Sequence, residues 1–140
     1  MPISGTIVVA AEPKRPLFRA MARGFVGRCP NCGQGRLFGR FLKPVVTCAV
    51  CGENYTHHRA DDAPPYFTMV LVGHIVVPLM AVTMVVTALS TTAQLAIWLP
   101  LTAILTVGLL QPVKGATIAL QWALRMHGFD GKGDDLAPSP

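Results

Sequence analysis

Four cysteines in two Cys-x-x-Cys pairs are the feature that most restricts the fold of this chain. Cys29 and Cys32 form the first pair, Cys48 and Cys51 form the second, and the sequence has no others. This spacing is typical of a four-cysteine zinc site. A glycine follows each pair, which favours a tight turn whose backbone amides point at the sulfurs. We therefore predict that the four cysteines bind Zn²⁺.

Iron in a rubredoxin-like site and two disulfides are the alternatives to zinc. A reducing compartment favours a bound metal, whereas an oxidising one favours disulfides. Four thiolates leave no open coordination position, so the site is expected to be structural and not catalytic. Residues 36–43 should form the short hairpin of a zinc ribbon, a segment that needs its metal in order to fold.

Two apolar segments predict a pair of membrane-spanning helices. Apolar residues make up 51% of the chain and charged residues only 14%, a composition typical of membrane proteins. Residues 66–89 and 95–112 contain no Asp, Glu, Lys or Arg, and the polar residues 90–94 separate them. Each segment is long enough to cross a bilayer. The predicted fold class is an α-helical membrane protein, a two-span transmembrane hairpin with a small N-terminal cytoplasmic zinc ribbon.

The distribution of basic residues predicts the orientation of the hairpin. The turn between the spans has no Lys or Arg, whereas both outer flanks carry them. The positive-inside rule therefore places both termini in the cytoplasm. A cytoplasmic ribbon would stay reduced, which also favours a metal over disulfides.

The pattern divides the chain into four parts. They are an arm with a possible basic amphipathic helix (1–27), the zinc ribbon (28–59), the transmembrane hairpin with a cytoplasmic helical extension (60–127), and a flexible tail (128–140).

Two of these parts leave alternatives open. The arm has apolar residues at helical spacing and Arg15, Arg19 and Arg23 on another face, so it is either a helix at lipid headgroups or a solvated linker. Beyond the second span, the helix either continues or bends at Gly115. Trp122 is expected at the membrane interface in both cases.

The histidines and aspartates offer further candidate sites. His74 lies within the first span, where it is either a ligand or proton site or hydrogen-bonded to Gln111 at the same height. His57 and His58 are either surface residues or spare ligands. Asp61 or Asp62 is expected to cap the first span, and Arg125 is expected to pair with one of them.

Several short motifs together resemble a bacterial membrane family catalogued as domain of unknown function 983, over residues 28–129. The motifs are residues 28–33, residues 35–38, Cys48 with Cys51, residues 60–62, Lys114 with Gly115, and Gln121 with Trp122. The resemblance implies a bacterial inner-membrane location. It also implies an association with cytochrome c oxidase, because family members often lie among genes for its subunits and assembly factors.

The function expected from these observations is that of a non-catalytic accessory or assembly protein for the oxidase. Its partners would be the lipid bilayer and oxidase subunits or assembly factors. The alternative is a copper or haem handling protein that uses His74, His57 or His58. Nucleic-acid binding is not expected, since the basic ribbon is tethered to a membrane and has few aromatic residues near its arginines. The motifs indicate no enzyme and no small-molecule substrate.

Overall fold

The computed structural model describes residues 13–56, 63–126 and 129. These residues form three helices and one two-stranded antiparallel sheet. In chain order the elements are α1 (Leu17–Phe25), β1 (Phe38–Arg40), β2 (Lys43–Pro44), α2 (Ala63–Val86) and α3 (Thr91–Ala123).

Helices α2 and α3 are long and apolar enough to cross a membrane. Their mean hydropathies are 2.4 and 1.9, yet only 11% and 6% of their most apolar windows are buried inside the protein. The core helix of a soluble protein would be mostly buried, whereas these side chains point outward. The described chain is thus a hairpin of two long apolar helices preceded by a cysteine ribbon, which confirms the predicted fold class.

A polar network joins the two helices beside their connecting turn. Ser90 caps α3, since its Oγ accepts a hydrogen bond from the Ala93 amide at 3.3 Å. The side chain of Gln94 is only 3% exposed. Its Oε1 accepts from Trp98 Nε1 at 3.1 Å and from Thr83 Oγ1 at 3.2 Å. These bonds fix α2 against α3 at this end of the hairpin.

Helix α3 continues without a break through Gly115 to Ala123, so the alternative of a bend at Gly115 is wrong. The helix ends in a Schellman motif, in which the Met126 amide donates to the Gln121 carbonyl at 2.9 Å. The left-handed residue of this motif is Arg125, at φ 56°. Arg125 Nη2 donates to the Pro13 carbonyl at 2.8 Å. Asp61 and Asp62, its predicted partners, lie outside the described residues.

Helix α1 packs against the C-terminal part of α3. It also ends in a Schellman motif, with Gly27 at φ 75° and the Arg28 amide donating to the Arg23 carbonyl at 2.8 Å. The closest approach of the helices is between Gly24 and Gly115. A Cβ on either glycine would overlap the other's carbonyl oxygen. The two glycines therefore allow the two backbones to touch.

This packing corrects two expectations about basic and aromatic residues. Arg15 was expected either at lipid headgroups or in a solvated linker, but it donates to the Trp122 carbonyl at 2.6 Å and covers the Trp122 ring at 4.3 Å. Trp122 was expected at the membrane interface, but it is only 4% exposed within the protein. The large apolar side chains that α1 does expose are those of Phe18, at 86%, and Phe25, at 46%.

One core connects the ribbon with the helices. Its buried residues come from α1, the ribbon and α3, and they include Ala20, Cys29, Leu37, Phe38, Cys48, Tyr55, Ile118, Ala119 and Trp122. The cysteine cluster is therefore packed onto the same core that fastens α1 to α3.

Candidate metal centre

Each cysteine pair lies in a turn closed by its own backbone. The Gly33 amide donates to the Cys29 carbonyl at 2.9 Å, and the Gly52 amide donates to the Cys48 carbonyl at 3.0 Å. Both glycines are left-handed, with φ of 72° and 75°, a conformation that glycine adopts at little cost. The sequence predicted these two turns from the position of the glycines.

The turns bring the four sulfur atoms together. All four lie within 4.8 Å of one another, and none of the four cysteines is in a disulfide. The Sγ atoms of Cys29 and Cys51 are 3.6 Å apart, and those of Cys32 and Cys48 are 3.8 Å apart. A tetrahedral ion with metal–sulfur bonds of about 2.3 Å needs sulfurs about 3.8 Å apart. The cluster can therefore bind one tetrahedral metal ion through four cysteines.

The phenol of Tyr55 is hydrogen-bonded to one of these sulfur atoms, that of Cys29. Its hydroxyl donates a hydrogen bond to Cys29 Sγ at 2.7 Å, and both residues are fully buried. Such a bond stabilises the negative charge of a thiolate and fixes its direction. Nothing in the cysteine spacing pointed to Tyr55, because the contact depends on how the chain after the second pair returns to the first.

The surroundings of the metal-free thiols shift their pKa values in different directions. Hydrogen bonds from the Gly35 and Gln34 amides lower the pKa of Cys32 to about 6. Burial raises the pKa of Cys29, although the hydrogen bond from Tyr55 opposes this effect. Burial also raises the pKa of Cys51, to about 12. The lowered pKa of Cys32 favours the thiolate form that a metal ion requires.

Neighbouring residues fit tightly around the cluster. A Cβ at Gly35 would overlap Cys48 Sγ, so only glycine leaves room for the sulfur there. Arg23 of α1 donates through Nη1 to the carbonyls of Pro30 and Asn31, at 3.2 and 2.8 Å. The first turn of the metal centre is therefore attached directly to α1.

The family model described as "Protein of unknown function (DUF983)" matches residues 38–122, more than half of the 140 residues. The chain belongs to the DUF983 family. The match includes the second cysteine pair and both long helices as far as Trp122, while α1 and the first pair precede it. Searches of curated proteins and of solved structures found no match.

His74 does not make its predicted bond to Gln111 in this DUF983 member. Its Nδ1 donates instead to the Val70 carbonyl of its own helix at 2.8 Å, and its ring is exposed. A carbonyl can only accept, so Nε2 of the neutral ring remains an acceptor. His74 lines an outward-facing groove with Met69 and Pro78, whereas Gln111 faces the ribbon.

The remaining candidate ligands are not placed. His57, His58, Asp61 and Asp62 lie outside the described residues. Within the described residues, the four cysteines form the cluster that can hold a metal ion.

We expect that Tyr55→Phe will weaken metal binding by about 10- to 100-fold, because loss of a hydrogen bond to a ligand has an effect of this size. The measurement is a competition titration of the full-length protein with a metal chelator in mild detergent. Tyr66→Phe is the matched control, since Tyr66 is exposed on α2. Equal affinities for the two variants would show that the hydroxyl contributes nothing to the centre.

Proposed function

We propose that this DUF983 protein is a non-catalytic accessory or assembly protein of the bacterial inner membrane, with both termini in the cytoplasm and Zn²⁺ in its four-cysteine centre. Zinc suits this centre because it prefers tetrahedral thiolate sites. The positive-inside rule supports the orientation. The family's association with oxidase genes supports cytochrome c oxidase as the complex it serves.

The proposal rests mainly on the contrast between two parts of the molecule, a packed ribbon module and a pair of exposed apolar helices. The ribbon, α1 and the end of α3 share one core. In contrast, α2 and the middle of α3 pack against each other but expose most of their other apolar side chains. The metal thus fixes a rigid module beside a helical hairpin that is free to pack against other membrane helices.

A groove on α2 is suited to such packing. It is lined by Met69, Val70, Gly73, His74, Val77 and Pro78. Apart from the adjoining turns of its own helix, nothing lies within 4 Å of a Cβ built on Gly73. Small residues of this kind let a partner helix approach closely, and a polar group such as His74 Nε2 gives the contact a hydrogen-bond acceptor.

The described residues give no support to an enzyme. A centre with four thiolates has no open coordination position. The four described cavities that lie along the helices and the ribbon are lined by no carboxylate. We therefore propose a binding role, which the closed centre and the exposed apolar helices support.

The groove gives a direct test of the docking role. We expect Gly73→Leu to remove at least nine-tenths of the co-purifying partner, because the new side chain fills the groove and blocks close approach of a partner helix. The tagged protein is purified from its native membranes in mild detergent, and partners are quantified by mass spectrometry. Ala103→Leu is the control, since Ala103 is exposed on α3.

Two outcomes of this experiment would count against the proposal. Equal partner recovery with the two variants would exclude the groove as the docking surface. Recovery of no oxidase subunit or assembly factor with the unaltered protein would exclude the oxidase as the partner.

The exposed side chain of His74 favours copper or haem handling as a second candidate function. An imidazole nitrogen beside the thioether of Met69 can bind a soft metal ion or haem iron. This function predicts a second metal or a haem absorption band that disappears in His74→Ala. Unchanged ligand content in that variant would exclude His74 as the binding residue.

A further inference from the structure

A polar cavity of about 380 Å³ opens between the ribbon and α3. Arg28 and Arg36 line it from the ribbon, and Gln111 lines it from α3. The two arginines face each other in an isolated antiparallel bridge, which places their side chains on the same side. The other lining residues are Val26, Gly27, Gln34, Gly35 and Phe38.

The charged and polar groups at this cavity have no protein partner in the described part of the chain. Neither guanidinium of Arg28 and Arg36 makes a hydrogen bond or ion pair there, and the Gln111 amide makes none either. Arg15 and Arg23, by comparison, both donate to backbone carbonyls. No lining residue is acidic. The cavity therefore presents two positive charges and an amide to whatever enters it.

The cavity lies at the height of a membrane surface. Gln111 follows Thr91, the first residue of α3, by 20 residues, which is about 30 Å of helix at about 1.5 Å per residue. A bilayer's hydrocarbon core has about this thickness. With the turn before Thr91 at one surface, Gln111 and the cavity reach the headgroups of the other surface.

A second crevice leads from the cavity toward the hydrocarbon. It has a volume of about 330 Å³ and shares Val26, Gly27 and Gln111 with the polar cavity. Phe25, Gly108 and Pro112 complete its lining. The exposed apolar side chains of Phe25 and Val26 thus lie directly beside the two unpaired arginines, an arrangement that matches an amphipathic ligand.

We propose that this cavity binds an anionic phospholipid. The guanidinium groups of Arg28 and Arg36 hold its phosphate, for which their planar forks are well suited. The Gln111 amide donates to an ester oxygen, and an acyl chain follows the crevice beside Val26. The site rests on the membrane placement in the proposed function but not on the identity of the partner. It would fix the ribbon against the bilayer surface.

The test is a titration of the metal-loaded, full-length protein in non-ionic detergent, followed by native mass spectrometry. We expect one phosphatidylglycerol to bind at least tenfold more tightly than phosphatidylcholine with the same acyl chains. A double variant that carries Arg28→Gln and Arg36→Gln should bind phosphatidylglycerol roughly 10- to 30-fold more weakly. The control, Arg19→Gln with Arg40→Gln, removes the same charge from exposed positions outside the cavity.

Three results would overturn the proposal. The first is equal binding of the two lipids by the unaltered protein, and the second is equal loss in the cavity variant and the control. The third is displacement of the lipid by an equimolar amount of inorganic phosphate, which would assign the cavity to a soluble phosphate.

A further variant covers the case in which the double substitution loses its metal and unfolds. Gln111→Leu changes the cavity from the side of α3, outside the ribbon, and we expect it to weaken phosphatidylglycerol binding several-fold. Unchanged binding by this variant would also overturn the proposal. Because the titration uses the purified chain without partners, its failure leaves the docking proposal intact, and failure of the docking test leaves this site intact.

Discussion

Gly115→Ala is expected to detach α1 from α3 and to destabilise the ribbon module by about 3 kcal/mol. The added methyl group overlaps the backbone carbonyl of Gly24 and also lies 3.2 Å from the Phe38 ring. A backbone atom cannot turn aside as a side chain can, so the helices must move apart. Overpacking of this kind typically costs 1–3 kcal/mol, and lost contacts around Ala119 add to it.

The rate of trypsin cleavage after Arg19 measures this effect, because cleavage within α1 requires the helix to open. We expect about 100-fold faster cleavage, since each 1.4 kcal/mol corresponds to a factor of ten. The matched control is Gly108→Ala in the same helix, where a Cβ meets nothing within 4 Å beyond the adjoining turns of α3. Similar cleavage rates for the two variants would contradict the close contact between Gly24 and Gly115.

Cys48→Ser is expected to abolish metal binding and to unfold the ribbon together with α1. Structural zinc sites contribute on the order of 10 kcal/mol to folding. Three remaining thiolates cannot bind the metal strongly enough to supply this free energy. In addition, Cys48 is buried and packs in the shared core. Helices α2 and α3 should stay helical and inserted, because their apolar surfaces do not depend on the centre.

Metal content by elemental mass spectrometry and helix content by circular dichroism check this prediction in purified protein. We expect about one zinc per chain in the unaltered protein and less than a tenth of that in the variant. Val50→Ser is the control, because Val50 is exposed in the same turn and is not a ligand. A Cys48→Ser protein that keeps its zinc and its helix content would refute a structural role for the cluster.

The metal cluster and the hairpin were predictable from local patterns. Cysteine spacing and the glycines after each pair determine the turns at Cys29 and Cys48, and uninterrupted apolar runs determine the two long helices. The turn itself was predicted at residues 90–94 but lies at residues 87–90, because Ser90 caps α3 and the helix already begins at Thr91. These features depend on residues close together in the sequence.

Features that depend on distant segments were not predictable in this way. Nothing near Gly24 indicates that it meets Gly115, because that contact joins two helices separated by the whole hairpin. The contact of Arg15 with Trp122 and the hydrogen bond from Tyr55 to Cys29 also join segments that are distant in the sequence. His74 and Gln111 were predicted to lie at the same height, but height alone leaves the rotation about each helix axis undetermined. The two side chains therefore face different surfaces.

The central claim is that the metal centre fastens α1 and the ribbon to the C-terminal end of α3. Hydrogen exchange of the full-length protein in detergent, measured with its metal and after chelation under reducing conditions, tests this most directly. We predict that amides of α1 and of residues 28–55 lose protection by at least 100-fold on chelation, while those in the middle of α2 and α3 keep theirs. Unchanged protection of α1 after complete metal removal would contradict the claim.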